Sequence, residues 1–464
     1  MSDDLVISGS NSSAVATDEL FSAAEQFAGM TTEASLIARY LSNLEQEAGL
    51  QNNAPFEAWR ARTSIAEAEV LIADAEARAR SLHGGLISAA DGYGFVDRFI
   101  GAFVRSVASD VAGVLGMFAP LNTLFSMPLL LAGGAVAGGI SLIPGAKEAA
   151  SRFMRENNEL LTNPLTVTIE RETTMVADDA MMGAIGIPRP VADLLGDEGL
   201  GISNHATAAS GVMAAGSIFG LFRESPVHLV GTKPVVATPP TGYQERLGRV
   251  PDTDETGGAQ VVIDKYEMEG EPDRFEVYIA GTVTFNPIAA DEPFDMTTNM
   301  SNAVGPGSGA YESVAEAMRL AGIDENSPVQ FTGYSQGGGT AAQLASSGDY
   351  NTVGLATFGG PTGQVAIPEG FTTVIVEHTD DLVPGLGGHQ QNLHAVIVER
   401  DVFGGREIPT DYAVPAHHYE YYEETARLMD AARSDAITGS IDALNSFGER
   451  AVSVTSTQYQ FERD

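Results

Sequence analysis

The sequence predicts an α/β domain with a mostly parallel sheet, preceded by an all-α N-terminal region. Residues 18–92 carry apolar side chains at alternating spacings of three and four, which is the helical period. In the second half of the chain, short β-branched segments alternate with segments of helical period. Such alternation is typical of a parallel sheet covered by helices. Because the composition changes after Arg223, we expect three domains: residues 1–100, 101–224 and 225–464.

The composition excludes several classes of protein. The 464 residues include 62 Asp and Glu against 25 Lys and Arg, a formal net charge of −37. Nucleic-acid binding needs clustered cations that neutralise phosphates, so we expect no nucleic-acid partner. The chain has no cysteine, which excludes disulfides, thiolate metal sites and cysteine catalysis. The first residues lack the basic and apolar regions of a signal peptide, so we expect no cleavable signal.

The N-terminal region is predicted to form an antiparallel helical hairpin. Residues 49–55 interrupt the helical pattern between two apolar series. The first series is Leu20, Ala23, Phe27, Met30, Ala34, Ile37, Leu41, Leu44 and Ala48, and the second is Ile65, Ala68, Ile72, Ala75, Ala79, Leu82, Leu86 and Ala89. Two such stretches joined by a short turn pack through their apolar positions. An ordinary helical domain is the alternative interpretation.

A short motif beyond the hairpin points to export. Tyr93 and Asp97 form Tyr-x-x-x-Asp, and a helical hairpin followed by this motif resembles the Trp-x-Gly hairpin family, the leaderless substrates of type VII secretion. Trp59 is followed by Arg-Ala, so the signature Trp-x-Gly itself is missing. The resemblance implies a protein that is cytoplasmic before export and then secreted or held at the cell surface. It also implies a partner hairpin chain or an immunity protein.

Two apolar segments lie between the hairpin and the second half of the chain. Residues 111–146 contain no charged side chain and are long enough to cross a bilayer, and a second apolar run covers residues 205–222. The sequence leaves two interpretations open: membrane contact, or a buried helical pair that packs against the hairpin or the C-terminal domain. Pro120, Asn122 and Pro128 interrupt the first segment and favour burial.

The C-terminal domain is predicted element by element. The expected strands are residues 261–268, 275–282, 329–332, 352–358, 371–377 and 393–399, and the expected helices are residues 308–321, 336–346 and 418–432. Residues 234–260 are rich in Pro, Thr, Gly and Asp and predict an extended approach to the domain. The segment 286–309 is expected to form a lid.

A Gly-x-Ser-x-Gly motif lies between a predicted strand and a predicted helix. Its residues are Gly333, Tyr334, Ser335, Gln336 and Gly337. At a sharp strand-to-helix turn the serine is presented for attack, and small flanking residues are needed because two backbones approach closely. The start of the following helix offers free N–H groups and a positive dipole end to an oxyanion. A glycine-rich turn without chemistry is the alternative.

Candidates for a base and an orienting carboxylate follow the serine. An alkyl hydroxyl is a poor nucleophile without a base, and the base needs an acid to hold it. Asp380 and Asp381 come directly after a predicted strand, at the end where open α/β sheets carry their sites. His417 and His418 precede a predicted helix, as a histidine on a loop would.

Metal and cofactor sites are not expected. Potential metal ligands occur at His378, Asp380, Asp381, His389 and His394, but their spacing matches no known ligand pattern. The glycine-rich loop at residues 305–309 lacks the lysine and the preceding strand of a phosphate-binding loop.

The serine, aspartate and histidine segments resemble the serine-dependent α/β-hydrolases, nearest to the class 3 lipase branch. In that fold the chain order is Ser, Asp, His. Asp381-Leu-Val-Pro384 fits the Asp-x-Val-Pro of the branch, which favours Asp381 over Asp380. Tyr422 stands five residues after His417, as in related bacterial hydrolases, which favours His417 over His418. The resemblance implies an α/β-hydrolase-type mostly parallel sheet and a Ser335–Asp381–His417 triad.

The same resemblance implies an oxyanion hole. In the class 3 branch a strand ends in Arg-Gly-Thr, and the threonine helps to form the hole. The counterpart here is Ala280-Gly281-Thr282, with Ala280 in place of arginine. This assigns the oxyanion donors to the amides of Thr282 and Gln336.

The expected function is that of a serine ester hydrolase. A lipase, phospholipase or carboxylesterase would cleave an acyl-ester or lipid substrate through an acyl-enzyme, without a cofactor. Two alternatives stay open at this point. One is another serine acyl hydrolase, such as a thioesterase or a peptidase, and the other is a catalytically silent secretion substrate.

Overall fold

A nine-stranded sheet organises the residues that the structure describes. The computed structural model describes residues 5–8, 72–73, 155, 158–175, 205–218, 220–252, 258–285, 288–404 and 406–464. All of them except residues 72–73 belong to one unit of the chain. Apart from those two residues, the predicted helical hairpin lies outside the described residues, as do the Tyr93–Asp97 motif and the apolar segment 111–146.

The elements follow each other along the chain in strand and helix alternation. The strands are β1 Val6–Ser8, β2 Val227–Val236, β3 Val261–Met268, β4 Arg274–Ile279, β5 Pro328–Tyr334, β6 Asn351–Phe358, β7 Thr372–His378, β8 Val396–Arg400 and β9 Ala451–Arg463. The helices are α1 Asn158–Leu161, α2 Pro164–Met175, α3 His205–Ile218, α4 Tyr243–Leu247, α5 Met296–Val304, α6 Gly309–Ala321, α7 Gln336–Ser346, α8 Leu382–Gly385, α9 Tyr419–Ala431 and α10 Asp435–Asn445, with a 3₁₀ turn at Pro415–His417.

The sheet is mixed, with a parallel block at its centre. Its strand order is β1-β8-β7-β6-β5-β4-β3-β9-β2. Strands β4 to β8 run parallel to one another. Strand β1 pairs antiparallel with β8 at one side of this block. At the other side, β3 pairs antiparallel with β4 and with β9, and β9 pairs antiparallel with β2. The expected α/β class with a largely parallel core is therefore confirmed.

Both faces of the parallel block are buried, which explains why its strands read as continuous apolar runs. In β7, Val374 and Val376 pack into a cluster with α4, α9 and α10. Ile375, between them, packs on the opposite face with α6 and α7. This alternation places helices on both sides of the sheet and leaves its carboxyl edge to carry loops.

Three strands were not predicted, and two of them extend the antiparallel side. The predicted extended approach contains α4, and β2 ends inside it. The last strand, β9, inserts between β3 and β2, while β1 pairs with β8 at the opposite edge. Residues at the two ends of the sequence thus complete the sheet.

The second apolar run packs against the C-terminal domain. Helix α3 contacts α5, and Ala209 and Phe222 share a buried cluster with Met296 and Met300. Ala209, Leu221 and Phe222 thus pack as the second interpretation expects, whereas Ser210 and Ala214 stay exposed. Within the described residues, no helix combines the length and the apolar character that crossing a membrane requires. The segment predicted as a lid contains α5.

A buried ion pair links α4 to the sheet. Arg246 Nε lies 3.0 Å from Glu276 Oε1, and the two side chains are only 2% and 1% exposed. The hydroxyl of Tyr266 donates to the other carboxylate oxygen at 3.0 Å. Both charges are therefore paired and hydrogen-bonded, the condition under which ions are tolerated inside proteins.

We expect Glu276→Gln to destabilise the protein by about 3–5 kcal/mol, because it leaves the guanidinium of Arg246 buried without a countercharge. Urea unfolding followed by circular dichroism measures the loss. Glu316→Gln is the control, since Glu316 pairs with Arg319 in an exposed i,i+3 contact and should change little. Equal effects of the two substitutions would contradict the prediction.

Candidate active site

Ser335 occupies a strained turn between β5 and α7. Its φ of 55° and ψ of −127° lie outside the regions that residues with a side chain normally adopt. Among the described residues, the only other non-glycine with a positive φ is Phe222. The backbone amide of Ser335 is fixed by a 2.8 Å hydrogen bond to Phe358 O on the neighbouring strand. The surrounding sheet therefore holds the strain in place.

Close backbone contact explains the two glycines of the motif. A Cβ on Gly337 would lie 2.3 Å from the carbonyl oxygens of Ile279 and Ala280, and one on Gly333 would lie 2.1 Å from Gly337 O. No side chain fits at these distances. The first turn of α7 thus lies directly against the end of β4, and only glycine permits the approach.

A hydrogen-bonded relay joins the serine to the two other predicted residues. His417 Nε2 lies 2.7 Å from Ser335 Oγ, and His417 Nδ1 lies 2.6 Å from Asp381 Oδ2. Because an ionised carboxylate can only accept, Nδ1 carries the proton and Nε2 is free to accept from the serine hydroxyl. Asp381 is fully buried, and the His417 side chain is 16% exposed. The structure therefore brings these three side chains together.

The end of β7 positions Asp381. The amide of Asp381 donates to His378 O at 3.1 Å, and its Oδ1 accepts from the amide of Val383 at 2.9 Å, capping α8. The buried hydroxyl of Tyr422 on α9 donates to Oδ2 at 2.7 Å. Each carboxylate oxygen is thus fixed from a different side.

Tyr334 supports the imidazole of His417. Its ring stacks on the imidazole at 5.4 Å between centroids with 14° between planes. Its hydroxyl donates to the backbone carbonyl of His417. Sequence reasoning used Tyr422 only as a landmark and gave Tyr334 no role. The aromatic residue directly before the serine of Gly-x-Ser-x-Gly could have suggested such a support.

The predicted oxyanion donors lie beside the serine. A Cβ on Gly281 would be 3.2 Å from Ser335 Cβ, so the segment leading to Thr282 touches the nucleophile turn. Among the described residues, the backbone amides of Thr282 and Gln336 donate to no acceptor. Both donors are therefore available.

Asn299 of α5, which sequence reasoning missed, ties the two donor residues together. Its Oδ1 accepts from Gln336 Nε2 at 2.8 Å, and its Nδ2 donates to Thr282 Oγ1 at 3.0 Å. Gln336 Nε2 also donates to Asp295 O at 2.8 Å. One side chain thus sets the spacing between the segments that carry the two free amides.

The two alternative residues lie apart from the relay. Asp380 is buried and accepts from the amides of Val402 and Phe403 at 3.2 and 2.9 Å. Burial raises the pKa of Asp380 to about 7, against the effect of those two hydrogen bonds. The partly exposed ring of His418 stacks on Tyr412 at 3.9 Å. Among the described residues, Asp380 forms no hydrogen bond with His417, and His418 forms none with Ser335, so neither alternative joins the relay.

Another carboxyl group lies near Asp381. Glu170 of α2 is 2% exposed, and neither of its oxygens has a hydrogen-bond partner among the described residues. Burial, and secondarily the charge of Asp381, raise the pKa of Glu170 well above its usual range. The next residue, Arg171, pairs with Glu377 at 2.9 Å. The segment before the C-terminal domain therefore packs beside the carboxylate end of the relay.

Metal ligation has no geometric basis in the described part of the chain. No group of three or more acidic or histidine side chains there is arranged to hold an ion. His378 instead contacts Ala416 O and Thr425 Oγ1.

Comparison with known proteins gives no relative for this geometry. No protein-family model matches the chain, and no curated protein and no solved structure matches it.

We expect Gly337→Ala to destabilise the protein by about 3 kcal/mol, because the added methyl group meets two backbone oxygens that belong to the sheet. Gly339→Ala, two residues further along α7, is the matched control. Its Cβ would make an ordinary 3.4 Å contact with Pro361, and alanine should stabilise the helix by about 0.5–1 kcal/mol. Thermal unfolding of both variants measures the difference. Stabilisation by Gly337→Ala would refute the steric explanation.

Proposed function

We propose that the protein is a serine hydrolase that cleaves acyl esters through an acyl-enzyme. The observation that carries the proposal is the relay from Ser335 Oγ through His417 to Asp381, with contacts of 2.7 and 2.6 Å. Its support comes from a strained serine at the start of a helix, a base in the correct tautomer and a buried carboxylate. These are the roles by which such a triad is recognised.

The chemistry follows from the relay. His417 Nε2 takes the proton of the Ser335 hydroxyl while Oγ forms a bond to the ester carbonyl carbon. The tetrahedral intermediate then collapses, the bond to the alcohol oxygen breaks, and the imidazolium returns the proton to the leaving alkoxide. A water molecule, activated by the same nitrogen, hydrolyses the acyl-serine. Asp381 accepts the Nδ1 proton throughout and stabilises the imidazolium.

The free amides of Thr282 and Gln336 suit the developing oxyanion. Gln336 is the first residue of α7, so its N–H adds to the positive end of the helix dipole. Donors fixed in advance need no reorganisation when charge appears on the substrate oxygen. Asn299 supplies this fixation by binding both side chains.

We further propose that the sheet is of the α/β-hydrolase type, in line with the resemblance to class 3 lipases. In support, the three relay residues follow β5, β7 and β8 in the order Ser, Asp, His. Asp381-Leu-Val-Pro384 serves as the first turn of α8, with Asp381 as its cap. Ala280 in place of arginine is the departure from that branch.

An apolar acyl group is the proposed substrate feature. In the segment that follows Thr282, the large apolar side chains of Val283, Phe285 and Ile288 are 38%, 65% and 42% exposed. Exposed apolar side chains beside a reactive centre favour a ligand with an apolar portion. Cleavage rates for p-nitrophenyl esters of increasing chain length, compared with thioesters and peptides, test this choice.

We expect Ser335→Ala to lower kcat for a p-nitrophenyl ester by a factor of ~10⁵–10⁶, since the nucleophile is lost. A fluorophosphonate probe should label the unaltered protein at Ser335 and leave the variant unlabelled. Ser347→Ala, at the other end of α7, is the control and should keep both activity and labelling. Labelling that persists in Ser335→Ala would refute the assignment of the nucleophile.

Substitutions of the two adjacent aspartates should have different effects, one on catalysis and the other on stability. Asp381→Asn should lower kcat by a factor of ~10⁴, because the amide favours the wrong imidazole tautomer. Asp380→Asn should keep kcat but change the pH dependence of stability.

The sign of that change follows from the pKa of Asp380. Folded Asp380 keeps its proton up to a pH of about 7, whereas an unfolded aspartate loses it near 3.9. Between these values the folded state binds more protons, so the contribution of Asp380 to stability falls as the pH rises. Asp380→Asn should remove this decline from melting temperatures measured at several pH values. An unchanged decline would contradict the assigned environment.

A further inference from the structure

A second histidine lies buried behind the relay and takes no part in the chemistry described so far. His378 is the last residue of β7 and is fully buried. Its Nδ1 lies 2.7 Å from Ala416 O, and its Nε2 lies 2.8 Å from Thr425 Oγ1. A carbonyl oxygen can only accept, so the proton belongs on Nδ1. Thr425 Oγ1 accepts from Arg400 Nη1 at 3.0 Å, and its one proton has two acceptors within reach, His378 Nε2 and the backbone oxygen of Tyr421 at 2.9 Å.

His378 contacts the residue before the base and the backbone of the acid. The carbonyl that its Nδ1 holds belongs to Ala416, directly before His417. Its own carbonyl accepts from the amide of Asp381 at 3.1 Å. Its ring stacks on Tyr422 at 3.7 Å with 16° between planes, and Tyr422 donates to Asp381 Oδ2 at 2.7 Å. The ring therefore sits where the loop of the base, the turn of the acid and α9 meet.

We propose that His378 is a positioning residue that fixes His417 and Asp381 relative to each other, as a neutral imidazole protonated on Nδ1. An apolar residue of similar size could fill the volume but could neither donate to Ala416 O nor form a hydrogen bond with Thr425 Oγ1. Burial lowers the pKa of His378 to about 4, so the ring stays neutral near neutral pH. The catalytic consequence rests on the proposed hydrolase function, whereas the positioning does not.

Nitrogen-15 NMR of histidine-labelled protein tests the state of the ring in the unaltered chain. The expected result at neutral pH is a neutral His378 with its proton on Nδ1. A proton on Nε2, or a charged ring, would overturn the proposal, because Nδ1 could then not act as the single donor to Ala416 O. This measurement needs no substitution at a buried site.

Two substitutions test the roles of the two ring nitrogens separately. An asparagine side chain reaches only as far as Nδ1 and can still donate to Ala416 O, whereas a glutamine reaches to the position of Nε2 and loses that donor. His378→Gln should lower kcat by a factor of ~10–100 with little change in KM, because small misplacements of reacting groups carry penalties of this size. His378→Asn should restore most of the lost rate. Equal losses in the two variants would count against positioning.

A readout without turnover distinguishes this proposal from the hydrolase proposal. The proton between His417 Nδ1 and Asp381 Oδ2 should give a low-field proton resonance, assigned by its loss in His417→Ala. We expect the resonance to shift or vanish in His378→Gln and to persist in His378→Asn. An unchanged resonance in His378→Gln overturns the positioning role. If the protein cleaves no ester and Ser335 takes no fluorophosphonate, the hydrolase proposal fails, while the resonance still decides the role of His378.

Discussion

The contact between two backbones beneath Ser335 is the constraint on which the site depends. The first turn of α7 lies so close to the end of β4 that Gly337 has room for no Cβ. This contact forces the sharp turn at residue 335 and gives its backbone a positive φ. The same turn presents the hydroxyl to His417 Nε2 and brings the segment of Thr282 alongside it. The need for a glycine at position 337 thus determines where the nucleophile and both free amides lie.

The other half of the relay depends on buried polar contacts rather than on backbone crowding. Asp381 and His417 come from separate loops, and α9 joins them through Tyr422. Tyr334, which belongs to the nucleophile turn, stacks on His417 and donates to its carbonyl. Buried polar groups of this kind are costly unless every partner is present, so they specify one arrangement. Side-chain contacts thereby fix the loops of the acid and the base relative to each other.

Local patterns predicted the strands of the parallel block well, and the resemblance to class 3 lipases named three side chains that lie within hydrogen-bonding distance of each other. Helix α7 has the predicted bounds, and α6 begins one residue later because Ser308 serves as its cap. Strand β9 carries alternating polar residues such as Ser456 and Gln458, and it pairs with residues of β3 and β2 that lie roughly 180 to 240 positions earlier in the chain. A pattern of neighbouring residues cannot predict pairing between segments so far apart in the chain. Nor does sequence spacing reveal that Asn299 contacts Thr282 and Gln336, or that His378 contacts Asp381.

The last strand also bears on the site itself. Arg463 on β9 is buried, and its guanidinium pairs with Glu224 and with Asp295, which caps α5. The carbonyl of Asp295 accepts from Gln336 Nε2, and α5 carries Asn299. A guanidinium is always charged and offers several donors, so it can hold a helix cap and a neighbouring loop at once. The antiparallel side of the sheet therefore anchors α5, the helix whose Asn299 binds the two residues with free amides beside Ser335. No sequence motif predicts this side of the sheet.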